Sequence, residues 1–438
     1  MRTPHPAPRH ANAVPTPASD GARSSCLRLF RRVVGAVVAA IVFLGAAASA
    51  PAQTDPARRT VILISMDGIR GDYVTKEGTP FLDGLRAESA HSRHLIAVFP
   101  SLTFPNHTSI ATGRHVDAHG IVSNKIVEGD KVLNHPSETG LVQAKPLWVH
   151  TEECGVRTAL DLWPVGYGAW HGKRPTLQRP SFEADRKDPE TVDKLLGWLR
   201  LPDAERPRFV MAYFRGADKA GHNAGPDSAE VKTAMKELDS TLQRFFGELR
   251  KLPGAADLAV VLVTDHGMCD VKKMINLQAL WGREKLSPRY ATSGPVANIF
   301  APDKADQDKI LAALAGVKEL QAWRASEMPV GLHYRHARSG DVIALAAEGM
   351  MFKERANSSD VIYVGDAPKG MHGYLPDLPS MHGFFLAWGA GIRRGAELEK
   401  LSVLDVFPTV CALLGVVPPG EIEGRALEAA LVPVEKKN

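Results

Sequence analysis

Cysteine is scarce in this chain: there are four among 438 residues, and no two are spaced like the ligands of a structural zinc knuckle. Cys26 lies in the N-terminal leader, so Cys154, Cys269 and Cys411 remain, enough for one disulfide at most. A disulfide scaffold is therefore excluded. Net charge is also lacking. The formal +4 comes from residues 1–52, which hold six arginines and one acid; the remainder carries 47 basic against 48 acidic residues, a net of −1. Nothing in that balance provides an electrostatic surface for nucleic acid or an acidic membrane. Long apolar runs are missing too. Val33–Ala48 is too short and alanine-rich for a membrane span. With Arg28, Arg31 and Arg32 before it and Ala50-Pro51-Ala52 after it, the run reads as an export signal. A periplasmic or secreted protein with no stable span after processing is expected, a signal anchor being the alternative. No internal repeat or biased tract is visible beyond the leader.

What is present is a series of β-like runs that end in ligand-type residues. Val61-Ile62-Leu63-Ile64-Ser65-Met66 runs into Asp67, and Leu258–Thr264 into Asp265-His266. Phe209–Phe214 leads to Asp218 and His222, and Met381-His382-Gly383 precedes the apolar stretch Phe384–Trp388. Near-continuous Val/Ile/Leu runs fit strands buried on both faces, as in a parallel sheet. The carboxyl edge of such a sheet is where α/β folds place their chemistry. Each Asp or His taken singly is more often a cap, a turn former or a core residue. Together they supply six ligands, three for each of two zinc ions with a position left open on both. Other divalent ions stay possible on the same donors.

Thr103, in Pro100-Ser101-Leu102-Thr103-Phe104-Pro105-Asn106-His107, is the candidate nucleophile. A threonine hydroxyl needs a base or a metal to act as one. The residues after it read as a helix ending at Gly113, so an ordinary helix cap is the alternative role for Thr103. His107, His115 and His119 do not complete a metal set, and turn or core positions suit them better. Asn124 is a candidate amide donor to an oxyanion, or a turn former. The loop-rich, aromatic segment 145–180 is a candidate substrate entrance. Helices are expected over Thr79–Ser89, Asp188–Arg200, Asp227–Arg250, Asp306–Leu314 and Val403–Leu414. The changed pattern from 272 to 369 reads as an inserted cap on a core made of 53–271 and 370–438.

These motifs together resemble the alkaline phosphatase superfamily and, within it, the nucleotide pyrophosphatase/phosphodiesterase family. The carrying segments are Met66-Asp67-Gly68, Phe99 to His107, Gly120 to Asn124, Asp218 to Pro226, Thr264 to Met268, and Met371-His372-Gly373-Tyr374 through Gly383. The resemblance implies a mixed, mostly parallel α/β sheet flanked by helices. It implies one zinc on Asp218, His222 and His382, and a second on Asp67, Asp265 and His266 with Thr103. Asn124 and the Thr103 backbone would hold a phosphoryl oxygen, and Phe104 and Tyr213 would clamp a nucleobase. The implied activity is hydrolysis of small-molecule phosphodiester or nucleotide substrates through a phosphothreonyl ester. Two departures stand out: Val165-Gly166-Tyr167-Gly168 after Trp163-Pro164, and Arg215-Gly216-Ala217 without an acidic pair. With no Cys-x-Pro-x-Arg, a formylglycine sulfatase is disfavoured. Competing readings are a phosphonate C–P hydrolase, a lipid-headgroup diesterase, and a catalytically silent metal-stabilised binder.

Overall fold

The computed structural model describes residues 55–179, 186–354, 358–365 and 368–433. The export leader expected over 1–52 lies outside these residues. Among them, no helix is long and apolar enough to cross a membrane.

Thr60–Met66 and Leu258–Val263 are buried at every position, as their unbroken apolar sequences require. They lie side by side in an eight-stranded sheet. Its order is Lys400–Ser402, Ser89–Ile96, Gly383–Gly389, Leu258–Val263, Thr60–Met66, Phe209–Phe214, Thr158–Asp161, Leu177–Gln178. Five of the seven pairings are parallel, and both antiparallel ones involve Gly383–Gly389. The sheet is mixed and mostly parallel, as expected. Its two faces bury separate apolar clusters, one including Val61, Leu63, Val261 and Phe407 and the other Ile62, Ile64, Val260 and Phe245. That division follows from the two-residue alternation of side chains along a strand.

Helix Ala229–Leu249 shows how the second face is covered. Its buried residues Val231, Met235, Leu238, Leu242, Phe245 and Leu249 recur at three- and four-residue steps. Ser228 caps it by accepting from the Val231 N–H, a bond whose loss costs about 1 kcal/mol. In helix Val406–Leu414, Pro408 sits in the first turn, where its missing N–H has no intrahelical partner to lose.

Among the described residues, segment 272–369 contributes no strand to the large sheet. It forms the antiparallel sheet Arg289–Ser293, Val296–Phe300, Val342–Ala346, Leu320–Arg324 and has its own apolar cluster, including Ile299, Leu314 and Val342. The loop-rich segment 145–180 also holds the strand Thr158–Asp161, whose four residues are too few to show a period in the sequence.

Candidate metal centre

The parallel strands deliver their ligand-type residues to one edge. Asp67 directly follows Thr60–Met66, and Asp265 and His266 follow Leu258–Val263 by way of Thr264. Asp218 opens helix Asp218–Ala224 after strand Phe209–Phe214. The backbone there is tight. Gly68 adopts φ +66°, and a Cβ on it would sit 2.8 Å from the Asp218 Cα. Gly216, at φ +55°, would place a Cβ 2.3 Å from the Asp67 carbonyl oxygen. Glycine at both positions lets the two aspartates approach.

Two groups of three ligands result. Asp218, His222 and His372 form one; Asp67, Asp265 and His266 form the other. In the first, His222 Nε2 and His372 Nε2 lie 3.2 and 3.6 Å from Asp218 Oδ1. In the second, His266 Nε2 lies 3.0 Å from Asp265 Oδ2 and 3.5 Å from Asp67 Oδ1. The rings of His266 and His372 stack at 3.5 Å between the groups.

The donor chemistry fits divalent metal. Asp67 Oδ1, Asp218 Oδ1 and Asp265 Oδ2 are buried without a hydrogen bond, a costly arrangement for anionic oxygens unless something charged meets them. Each imidazole donates its Nδ1–H to a backbone carbonyl: His266 to Gly267 at 2.9 Å, His222 to Gly370 at 2.8 Å, His372 to Ser101 at 2.8 Å. That fixes the tautomer and turns every Nε2 inward, the usual outer support of a metal-binding histidine. The electrostatics agree. Burial, then Asp265 and Asp218, push the Asp67 carboxyl well above the usual range. Burial would raise Asp218 as well, but His222, with His372 and His266, outweighs it and holds Asp218 down to about 2. The fold thus concentrates more negative charge than its own side chains comfortably neutralise.

His382, expected in the first group, is not there. Its strand, Gly383–Gly389, is three places across the sheet from Phe209–Phe214, which leads to Asp218. Its Nδ1 lies 3.1 Å from His94 Nδ1 instead. His372 takes the place because Gly370 and Met371 pair with Asp270 and Cys269, drawing the next residue alongside His266. Both histidines precede a glycine. The cue was present in Met371-His372-Gly373, but proximity to a strand favoured the other.

Thr103 is the first residue of helix Thr103–Thr112, and Leu102 is the cap. The hydroxyl is not spent on capping; Thr103 Oγ1 stands 3.2 Å from His266 Nε2. Asn106 pins the preceding turn, accepting from Val98 N–H and donating to the Pro100 and Leu102 carbonyls. Buried His107 donates from Nδ1 to the Thr103 carbonyl at 2.8 Å, with Asp265 Oδ2 at 3.4 Å. Asn124 Oδ1 accepts the Phe104 N–H at 3.0 Å, which fixes its amide. Among the described residues its Nδ2 has no partner, and it lines the cavity over the centre. That cavity measures about 1090 Å³; Thr292, Met351, Phe352 and Lys353 of segment 272–369 form part of its wall.

Phe104 and Tyr213 both line this cavity. The Tyr213 hydroxyl donates to Asp67 Oδ2, and its ring meets His107 at 5.3 Å. Phe104 is partnered by His135, at 5.6 Å. Strand register sets the contact with Asp67: Tyr213 pairs with Ser65, two residues before it.

Residues 61–375 match the family model described as type I phosphodiesterase / nucleotide pyrophosphatase. The chain belongs to this family. The family hydrolyses phosphodiester and pyrophosphate bonds and depends on metal, and the chain is an enzyme of that class. An uncharacterized pyrophosphatase/phosphodiesterase of Schizosaccharomyces pombe is 29% identical over 90% of this chain and 84% of its own length. A bis(5'-adenosyl)-triphosphatase of Xenopus laevis is 28% identical, over 83% of this chain and 79% of its own. Human ectonucleotide pyrophosphatase/phosphodiesterase 5 has a solved structure 27% identical, covering 86% of this chain and all of its own, with a TM-score of 0.76. An inactive threonine-to-alanine variant of the murine protein, in complex with AMP, is 25% identical with a TM-score of 0.74; the match covers 82% of this phosphodiesterase and 96% of the murine chain. The phosphodiesterase therefore has the alkaline-phosphatase-like fold.

Proposed function

We propose that this chain is a two-zinc hydrolase that cleaves phosphodiester or pyrophosphate bonds in nucleotides through a phosphothreonyl ester on Thr103. The observation that carries the reading is the Thr103 hydroxyl, free of capping and 3.2 Å from His266 Nε2, beside the Asp67–Asp265–His266 group. Asp218, His222 and His372 hold one ion in this reading, and Asp67, Asp265 and His266, with Thr103, the other. Bound zinc supplies the positive charge that stabilises an ionised hydroxyl and the phosphoryl oxygens.

The substrate phosphoryl group enters the cavity with one oxygen toward Asn124 Nδ2 and the Thr103 N–H at the helix start, where the dipole favours an anion. His107 and Asn106 hold the turn, so the nucleophile meets phosphorus with little reorganisation. Deprotonated Thr103 Oγ1 forms the new O–P bond as the bond to the leaving oxygen breaks, and the leaving group takes up a proton. Water then attacks the phosphothreonine, the Oγ1–P bond breaks, and a nucleoside monophosphate departs with Thr103 regenerated. Two in-line displacements give net retention at phosphorus. Phe104, packed on His135, forms the wall for the base. The AMP held by the murine relative and the dinucleotide named for the Xenopus one support a nucleotide substrate. Export, from the leader, is part of the same proposal.

The test is turnover of zinc-loaded 53–438 protein on an aryl ester of thymidine monophosphate and on the simple aryl phosphate, beside Thr103→Ala. Preference for the diester, abolished in the variant, supports the reading. Preference for the monoester, or activity that survives the variant, overturns it. Turnover of neither moves the assignment to the C–P hydrolase or the silent binder.

A further inference from the structure

At the far end of the nucleophile's helix stands a second constellation that the reaction does not use. Helix Thr103–Thr112 stops at Gly113, and the chain turns through Arg114 to His115, the cap of Val116–His119. His333, from segment 272–369, and Glu423, from the C-terminal segment, meet His115 there. One ligand atom of each lies within 4.8 Å of the others, the same closeness that joins each catalytic triplet. His115 Nδ1 is 3.4 Å from Glu423 Oε2 and, although buried, makes no hydrogen bond. Asp117 Oδ2 is 3.6 Å from His333 Nδ1.

The surroundings support the cluster as they would a ligand set. Glu423 Oε2 accepts from the His115 N–H at 2.7 Å and from Arg114 Nε at 3.0 Å, while Oε1 has no hydrogen bond among the described residues. His333 is held at φ +48°, in the left-handed region that side chains other than Asn, Asp and His seldom occupy. Its N–H donates to the Val330 carbonyl and its own carbonyl accepts from Asp117, each at 3.1 Å. The His115 and His333 rings lie 3.9 Å apart at 19°, so they must tilt to aim both lone pairs at one ion. Side-chain exposures of 24% and 35% leave room for that.

We propose that His115, His333 and Glu423 form a third divalent-metal site, structural in role, that fastens the helix end to segment 272–369 and to the C-terminal segment. Two imidazoles with one carboxylate suit zinc and its borderline neighbours, whereas calcium and magnesium prefer an all-oxygen shell. The site is separate from the catalytic centre, so it does not depend on the proposed reaction.

The experiment counts zinc per chain by plasma mass spectrometry, after loading the full chain with zinc alone and dialysing it. His333→Asn keeps a residue tolerant of φ +48°, and Glu423→Gln keeps the shape of the carboxylate. Wild type is expected to hold three equivalents and each variant two, with diester turnover unchanged. Equal zinc in wild type and variants overturns the site. So does loss of two or more equivalents together with turnover, since the substitution then acts through the catalytic centre. Should His333→Asn fail to fold, the comparison with Glu423→Gln decides.

Discussion

The Tyr213 hydroxyl donates a 2.6 Å hydrogen bond to Asp67 Oδ2, while Oδ1 of the same carboxylate is buried without a partner. One oxygen is therefore anchored and the other aimed at the metal group. Tyr213→Phe is expected to weaken zinc binding about 10- to 100-fold, the usual effect of losing an outer support. Competition with a chelator measures it. An unchanged affinity with a raised KM would return Tyr213 to the base-clamp role.

His372 and His382 can be told apart directly. His372→Ala is expected to lose one zinc equivalent and well over about 100-fold in turnover, because a ligand matters more than its outer support. His382→Ala leaves both close to wild type. The reverse result would mean that His94 does not hold His382 away from the centre.

In the proposed reaction Asn124 would serve twice, and one substitution separates the two uses. Asn124→Asp keeps an oxygen for the Phe104 N–H but removes the Nδ2 donor. Removing one donor to developing negative charge costs about 10²–10³ in kcat. Rate loss with unaltered circular dichroism is the expected outcome; a rate within a few fold of wild type would remove Asn124 from the phosphoryl site.

Acid sensitivity is expected from His119. It is fully buried, its Nδ1 accepts the Ile121 N–H, and Nε2 is 2.9 Å from Ser109 Oγ. Burial first, then His336, push its pKa from 6.5 down to about 3. Between those values the unfolded chain binds a proton that the folded chain refuses. Stability is complete above pH 6.5 and falls as pH drops toward 3. Urea midpoints in chelator at pH 7.5 and 5 should differ less in His119→Gln than in wild type. His372, also held near 3 by burial and His266, keeps the difference from vanishing.

Much of this centre was legible because a strand buried on both faces announces where it ends. Asp67, Asp265 and His266 could be read from the apolar runs before them; the place of Thr103 ahead of a helix suited a cap as well, and only the ligand-type residues elsewhere singled it out. Long-range geometry was not legible. Choosing His372 over His382 depends on which strand lies beside which, and neighbouring residues do not encode that. Tyr213 looked like a free aromatic because its register with Ser65 was unknown. His115 seemed an incomplete ligand set because its partners lie more than two hundred and three hundred residues along the chain.

Strand Gly383–Gly389 runs back beside Leu258–Val263, with Phe385 opposite Val263. Everything between them is, in topological terms, one enlarged hairpin loop whose two feet stand at the metal edge. Lengthening a loop whose ends are already paired adds little entropy cost. The excursion also supplies Thr292, Met351, Phe352 and Lys353 to the cavity wall. A sheet of this kind is thus free to carry a different wall, while Asp67, Asp218, Asp265 and His266 stay where the strands put them. Segment 272–369, which leaves Asp265, His266 and His372 in its flanks, is therefore the part to graft between relatives when the wall is to be changed without rebuilding the metal groups.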